Sequence, residues 1–220
     1  MIRITTGIYK GRKLQIPKGI RPTQNITRKA VFDIIGDIEG LVFLELFAGS
    51  GAVGIEAASR GAREVVFVEN NHQTAKALGQ NLSCLPQGKF FVLPLDAQLA
   101  VKRLGDEGRK FDVIFLDPPY IKEPATPGPK GMAGVPLSAS TPNLKGKVGV
   151  PLSAAKNTLQ TLGACDILTP AGLIIAQHSK KEDLPEHLGV LSLLKQSRYG
   201  GSILSFYRKN VPESNLPGDI

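Results

Sequence analysis

The 220 residues suffice to bury the core of one domain with an appendage, and 42% hydrophobic with 21% charged residues is an ordinary soluble globular composition. With 27 Lys and Arg against 19 Asp and Glu, the formal net charge is +8, which favours anionic partners, nucleic acid ahead of a membrane surface. A membrane helix is excluded because no apolar run approaches about 18 residues, a signal peptide because Met1-Ile2-Arg3-Ile4-Thr5 is short and polar, and a cysteine scaffold because Cys84 and Cys165 lack a metal-type spacing and fall in helix-like segments, as reduced thiols.

Ile2–Thr6 and Lys13–Ile16 alternate apolar and polar residues on either side of Gly7-Ile8-Tyr9-Lys10-Gly11, which predicts a small hairpin. Its charges have one sign: Arg3, Lys10, Arg12 and Lys13, with Lys18 and Arg21 following. Ile26, Ala30, Val31, Ile34, Ile35 and Ile38 recur at helical spacing, with Thr23 or Asn25 as the candidate cap. From Leu41 onward, strands are predicted over Leu41–Phe47, Glu64–Glu69, Lys89–Leu93, Phe111–Leu116 and Gly172–Gln177. Helices are predicted over Gly51–Arg60, His72–Ser83, Gln98–Leu104 and Ala154–Ala164. The strand runs are continuously apolar, as expected when helices cover both faces of a sheet, and the alternation predicts a doubly wound, mostly parallel α/β fold. Val190–Leu194 and Ser202–Tyr207, around Arg198-Tyr199-Gly200-Gly201, read as a closing antiparallel pair. The organisation expected is a basic hairpin extension over 1–22, the main domain over 23–209, and a frayed polar tail over 210–220.

Between Tyr120 and Ala154 no period holds. This stretch contains a near-repeat, Lys130-Gly131-Met132-Ala133-Gly134-Val135-Pro136-Leu137-Ser138 against Lys145-Gly146-Lys147-Val148-Gly149-Val150-Pro151-Leu152-Ser153. Two copies are too few for a solenoid. An insertion over about 121–153 is expected, either a flexible loop or a lid over an adjacent site, with Lys130, Lys145 and Lys147 able to touch phosphate.

Two turns carry the chemistry. After the first main strand, Ala48, Gly49, Ser50 and Gly51 let backbone approach a ligand closely, and the following helix aims its N-terminal amides at what is bound. Gly49-x-Gly51-x-x-Gly54 also matches the dinucleotide fingerprint, with Glu69 placed to hold ribose hydroxyls. Glu45 is placed to meet a ligand amine. Asp96 can accept from an adenine amine, or simply cap a helix. The second turn is Asp117-Pro118-Pro119-Tyr120, at the carboxyl end of a strand. Its prolines remove N–H donors and leave acceptors, which suits an exocyclic amine whose lone pair must be localised, and Tyr120 can stack on a base ring.

These residues resemble the class I S-adenosylmethionine-dependent methyltransferases and, more narrowly, the bacterial 16S rRNA guanine-N2 methyltransferase family. The resemblance rests on Gly7-Ile8-Tyr9-Lys10-Gly11-Arg12-Lys13-Leu14, on Arg21-Pro22-Thr23 with Arg28 and Phe32, and on Phe47 to Ala52. It continues with Ser59 to Ala62, the Asp117–Tyr120 tetrad and Leu204 to Tyr207. It implies a Rossmann-like, seven-stranded sheet with an antiparallel last strand. It implies S-adenosyl-L-methionine as cofactor, held by Glu45, Phe47, Ala48, Gly49, Ser50, Gly51, Glu69, Asn70, Asp96 and Ala97. It places Asp117, Pro118, Pro119 and Tyr120 at the target guanine, and Arg3, Lys10, Arg12, Lys13, Arg21 and Arg28 on RNA phosphates. His178, next to Gln177, is read as a polar strand-end residue. The expected protein is a cytoplasmic, monomeric, metal-free enzyme acting on ribosomal RNA or a small-subunit assembly particle. A DNA amino-methyltransferase (adenine N6 or cytosine N4) shares the tetrad but wants a target-recognition region. A non-catalytic RNA-binding protein on the same fold would have lost the glycines or Asp117, and a nicotinamide oxidoreductase gains nothing from the tetrad.

Overall fold

The structure is a computed structural model and is described over residues 2–16, 25–119 and 153–210. Strands β1 (Ile2–Arg3) and β2 (Lys13–Leu14) pair antiparallel in the register Ile2↔Leu14 and Arg3↔Lys13, a shorter ladder than the alternation suggested. Helix α1 (Asn25–Ile35) leads into the alternating body. That body is β3 (Val42–Leu46), α2 (Ala52–Ser59), β4 (Glu64–Val68), α3 (His72–Ser83), β5 (Phe90–Leu93), α4 (Ala97–Asp106), β6 (Phe111–Leu116), α5 (Ala154–Ala164) and β7 (Leu168–Ser179). The chain closes with β8 (His187–Leu188), β9 (Leu191–Tyr199) and β10 (Ser202–Lys209). No helix among the described residues is long and apolar enough to cross a membrane.

The main sheet runs in the order β5-β4-β3-β6-β7-β10-β9-β8. Strands β3 to β7 are parallel to one another, and β10 is antiparallel to both β7 and β9. The expected architecture is present, with an eighth strand added at the edge: two-residue β8, antiparallel on β9 and too short to leave a pattern in the sequence. The chain winds outward from β3 through β4 to β5, then returns to the other side of β3 with β6. The switch point where such sheets bind ligands therefore lies between the carboxyl ends of β3 and β6.

Strand side chains alternate between two cores, which explains the unbroken apolar runs. Phe43, Phe67, Val113 and Phe115 face a layer of α1, α2, α3 and the hairpin, while Leu44, Val66, Ile114 and Leu116 face α4 and α5. Helix α2 is buried along its whole length, so its one acid, Glu56, is fully enclosed. Glu56 accepts from the Thr5 N–H (2.8 Å), the Thr5 hydroxyl (2.6 Å) and Arg60 Nε (3.2 Å). Ser59 accepts from the Ile8 N–H through its carbonyl and from the Tyr9 N–H through Oγ, both at 2.9 Å. Gly7 (φ 77°) allows this docking, since a Cβ there would lie 1.6 Å from the Ser59 carbonyl oxygen. Arg60 lies 4.5 Å above the Phe32 ring and so fastens α2 to α1. In α1, Ala30 and Val31 are buried as expected, joined by Phe32, but Ile26 is 71% exposed, because Thr27 and Arg28 take the inward positions of the first turn.

Candidate active site

The loop after β3 is shaped by backbone rather than by side chains. Phe47 has φ 59°, a left-handed conformation that costs a non-glycine residue roughly 1–3 kcal/mol and that clusters at functional sites. Its consequence is directional. Leu46 and Phe47 both pack toward the α4/α5 layer, so the ring is turned away from the face on which Glu45 stands. Gly49 (φ 54°) and Gly51 (φ 73°) complete the turn, and α2 begins at Gly51 with no side-chain cap on its N-terminus. A Cβ on Gly54 would lie 2.5 Å from Phe67 and 2.8 Å from Glu45 Oε2, so the third glycine is set by close helix–strand approach.

Glu45 is 3% exposed and accepts from the Gly54 N–H at 2.8 Å. Burial pushes its pKa up to about 8; the Gly54 and Val53 N–H groups pull it down, the neighbouring Asp117 charge pushes it further up, and Arg28 lowers it. Glu69, also buried, takes the Gly49 N–H on Oε2 and the Asn71 N–H on Oε1, both at 2.9 Å, so it ties the loop after β3 to the start of α3. Each of its oxygens keeps a second lone pair for a hydroxyl. Asn71 caps α3, and Asn70 beside it is exposed. Asp96 is the exposed N-cap of α4, accepting from Gln98 and Leu99 through Oδ1, with buried Ala97 starting the helix. Of its two expected roles, the cap is the one seen.

Asp117 follows β6 directly. Because Leu46 pairs with Leu116, Asp117 stands beside Phe47 at the ends of adjoining strands, which lie about 4.8 Å apart. By alternation with Val113 and Phe115 it falls on the same sheet face as Glu45, and its charge is felt there. Pro118 is buried and Pro119 exposed. On the other side Leu116 pairs with Ala176, which sets buried Gln177 next to Asp117. His178 is fully buried and faces the opposite layer. Its Nε2 lies 2.7 Å from Ser205 Oγ and its Nδ1 3.1 Å from the Ser179 carbonyl, so Nδ1 donates to that carbonyl. Burial lowers its pKa, and it is a structural residue away from the crevice, in line with its sequence assignment.

Arg3, Lys10, Arg12 and Lys13 are exposed on the hairpin, where Arg12 Nη1 donates to the Cys84 carbonyl at 2.8 Å. Arg28 departs from the expected RNA-facing set. It is 1% exposed, faces inward from α1 and pairs with Glu56 at 3.6 Å, because the first turn of α1 is pressed between the hairpin and α2. Arg21, Tyr120 and the insertion over 121–152 lie outside the described residues. Two site-supporting residues carried no sequence motif. Glu56 is legible only as an acid inside an otherwise small and apolar helix. Asn81 bonds Gln15 of the hairpin in both directions and donates to the Ser50 carbonyl at 3.2 Å. Among the described residues no cluster of His, Cys, Asp and Glu is arranged to hold a metal ion.

The family described as Conserved hypothetical protein 95 matches residues 2–127. YlbH of Bacillus subtilis (strain 168), named as a candidate rRNA methyltransferase, is 29% identical over 212 residues, which is 94% of this chain and 99% of that protein. Ribosomal RNA small subunit methyltransferase D of Escherichia coli (strain K12) is 35% identical over 122 residues. That match covers 54% of this chain and 60% of the Escherichia coli protein. Among solved structures, that of yhhF from Escherichia coli, named as a candidate methyltransferase, has a TM-score of 0.72 at 25% identity, covering 94% of this chain and 97% of that one.

Proposed function

We propose that this chain, which belongs to the family described as Conserved hypothetical protein 95, is an S-adenosyl-L-methionine-dependent rRNA methyltransferase acting on the exocyclic N2 amine of a guanine in small-subunit rRNA. One observation carries the reading. An acceptor-rich, donor-poor corner at Asp117-Pro118 stands beside a strained, glycine-lined loop, on neighbouring strand ends and over one sheet face. The names of relatives that pair this sequence with rRNA methylation support it. With a small-subunit particle as substrate, the compartment of action is the cytoplasm.

The residues present fit the cofactor. Glu45 is a buried carboxylate matched to an ammonium group, Glu69 has lone pairs for ribose hydroxyls, and Phe47 is turned off the face that a ligand needs. When bound, the donor supplies a methyl carbon made electrophilic by the adjacent sulfonium. The Asp117 carboxylate and the Pro118 carbonyl accept the two hydrogens of the target amine, which localises its lone pair on nitrogen and aligns it for in-line attack. The bound donor would supply the methyl group and keep the sulfur as a neutral thioether, and Asp117 would pass the proton of the methylated amine to solvent. The base reaches this corner only by leaving its stacked environment, which limits the substrate to an unpaired or extrudable guanine. The exposed Arg3, Lys10, Arg12 and Lys13 meet backbone phosphates.

The test is methyl transfer from labelled donor to small-subunit particles and to naked 16S rRNA from a strain lacking this gene, followed by nucleotide mapping. N2-methylguanosine at one position is expected. Label on adenine, label on DNA alone, or no incorporation into any substrate overturns the assignment.

A further inference from the structure

We propose that Arg28 is the cationic half of a clamp for the amino-acid end of the methyl donor, its guanidinium receiving the α-carboxylate while Glu45 receives the α-ammonium. The inference rests on the methyl-transfer reading and deepens it. Arg28 is 1% exposed, yet its hydrogen bonding is incomplete. Nη2 donates to the Arg3 carbonyl (2.6 Å) and to Asn25 Oδ1 (3.0 Å), whereas Nε and Nη1 are buried without a hydrogen-bond acceptor. Native interiors rarely leave donors of a charged group in that condition.

Glu56 does not fill the gap. Its Oε2 stands 3.6 Å from Nε, an ion pair beyond hydrogen-bond length, while Oε2 accepts from the Thr5 N–H and Oε1 from the Thr5 hydroxyl and Arg60. The unpaired Nη1 is thus a charged donor held ready for an anion that the described protein does not supply. Its position points to which anion. Helix α1 lies in the layer over the face that carries Glu45 and Asp117. Glu45 is bonded to Gly54 of α2, and Glu56, two residues further along α2, pairs with Arg28. Arg28 and Glu45 also feel one another's charge. A buried guanidinium and a buried carboxyl that an incoming ammonium would ionise, on neighbouring elements of one layer, match the two ends of a zwitterion. An RNA phosphate carries only one sign and is tied to a polymer that cannot enter so enclosed a place.

Isothermal titration of the full chain with S-adenosylhomocysteine and with its decarboxylated analogue tests this without altering the protein. Loss of the carboxylate is expected to weaken binding roughly 10- to 100-fold, the scale of a charge-assisted hydrogen bond. In Arg28→Met, whose fold is checked by circular dichroism and thermal melting, the two ligands are expected to bind alike, both near the weaker value. Equal affinity of the wild-type chain for the two ligands overturns the clamp, as does a folded Arg28→Met that still prefers the carboxylate. If the wild-type chain binds neither ligand, the methyl-donor reading itself falls, and the clamp with it.

Discussion

Glu45 and Asp117 are carboxylates on one sheet face, yet their settings differ: Glu45 is enclosed against α2, whereas Asp117 is half-buried at a strand end beside two prolines. In Asp117→Ala the proposed amine acceptor is lost while the glycine loop after β3 is untouched. Methyl transfer is expected to fall by at least about 100-fold, the scale of removing one preorganised transition-state contact. Donor affinity measured by calorimetry is expected to change little, and unchanged turnover would remove Asp117 from its role. Glu45 makes a pH prediction. Its folded pKa, about 8, lies above the ordinary carboxylate value of 4.5, so between those limits the unfolded chain ionises while the folded chain holds the proton. Stability of the ligand-free protein is therefore expected to decline as pH rises from about 4.5 to 8, and Glu45→Gln is expected to flatten that slope in urea titrations. An identical slope in the variant would show that Glu45 is ionised throughout. The residue types and spacing of both acids are visible in the sequence. Their difference in environment is not, because it depends on α2 and on the neighbouring strand.

Helix α2 joins the site to the hairpin. It borders the glycine loop after β3 at Gly51, holds Glu45 through Gly54 and grips the N-terminal segment through Glu56 and Ser59. Glu56→Ala leaves Arg28 buried without its ion partner and strips Thr5 of its acceptor. A loss of about 3–5 kcal/mol in stability is expected from chemical denaturation, the scale of breaking one side of a buried pair. Faster hydrogen exchange at Thr5, Ile8 and Tyr9 is expected with it, and a stable variant with unchanged exchange would show that the hairpin docks by its apolar contacts alone. Periodicity located α2 within a residue or two at each end, since Gly51 and Gly61 bracket a compact run of small residues. It could not rank Glu56 above any other acid, because enclosure arises from the hairpin, whose docking residues lie about 50 positions away in the chain.

At the scale of the whole molecule, a net charge of +8 is put to local use where the hairpin presents Arg3, Lys10, Arg12 and Lys13 outward while its apolar residues Ile2, Ile4, Tyr9 and Leu14 lock into the core. A double reversal, Arg12→Glu with Lys13→Glu, is expected to weaken RNA binding roughly 10-fold or more and to lower the salt slope by about 2, near 0.7–0.9 per phosphate contact, with donor affinity unchanged. Unaltered RNA affinity at physiological salt would take the hairpin out of the RNA footprint. The sequence by itself determined the winding of the sheet, the glycine loop, the Asp117-Pro118-Pro119 corner and the family, because alternation, helical spacing and small-residue turns are written within a few consecutive positions. Only the tertiary structure decided that Arg28 turns inward while Arg3 and Arg12 turn out, that Phe47 twists away from the crevice, that Asp96 serves α4 as a cap, and that His187–Leu188 adds an edge strand. These outcomes depend on which distant segment packs against each side chain, and burial, unlike periodicity, is a property of that partner as much as of the residue.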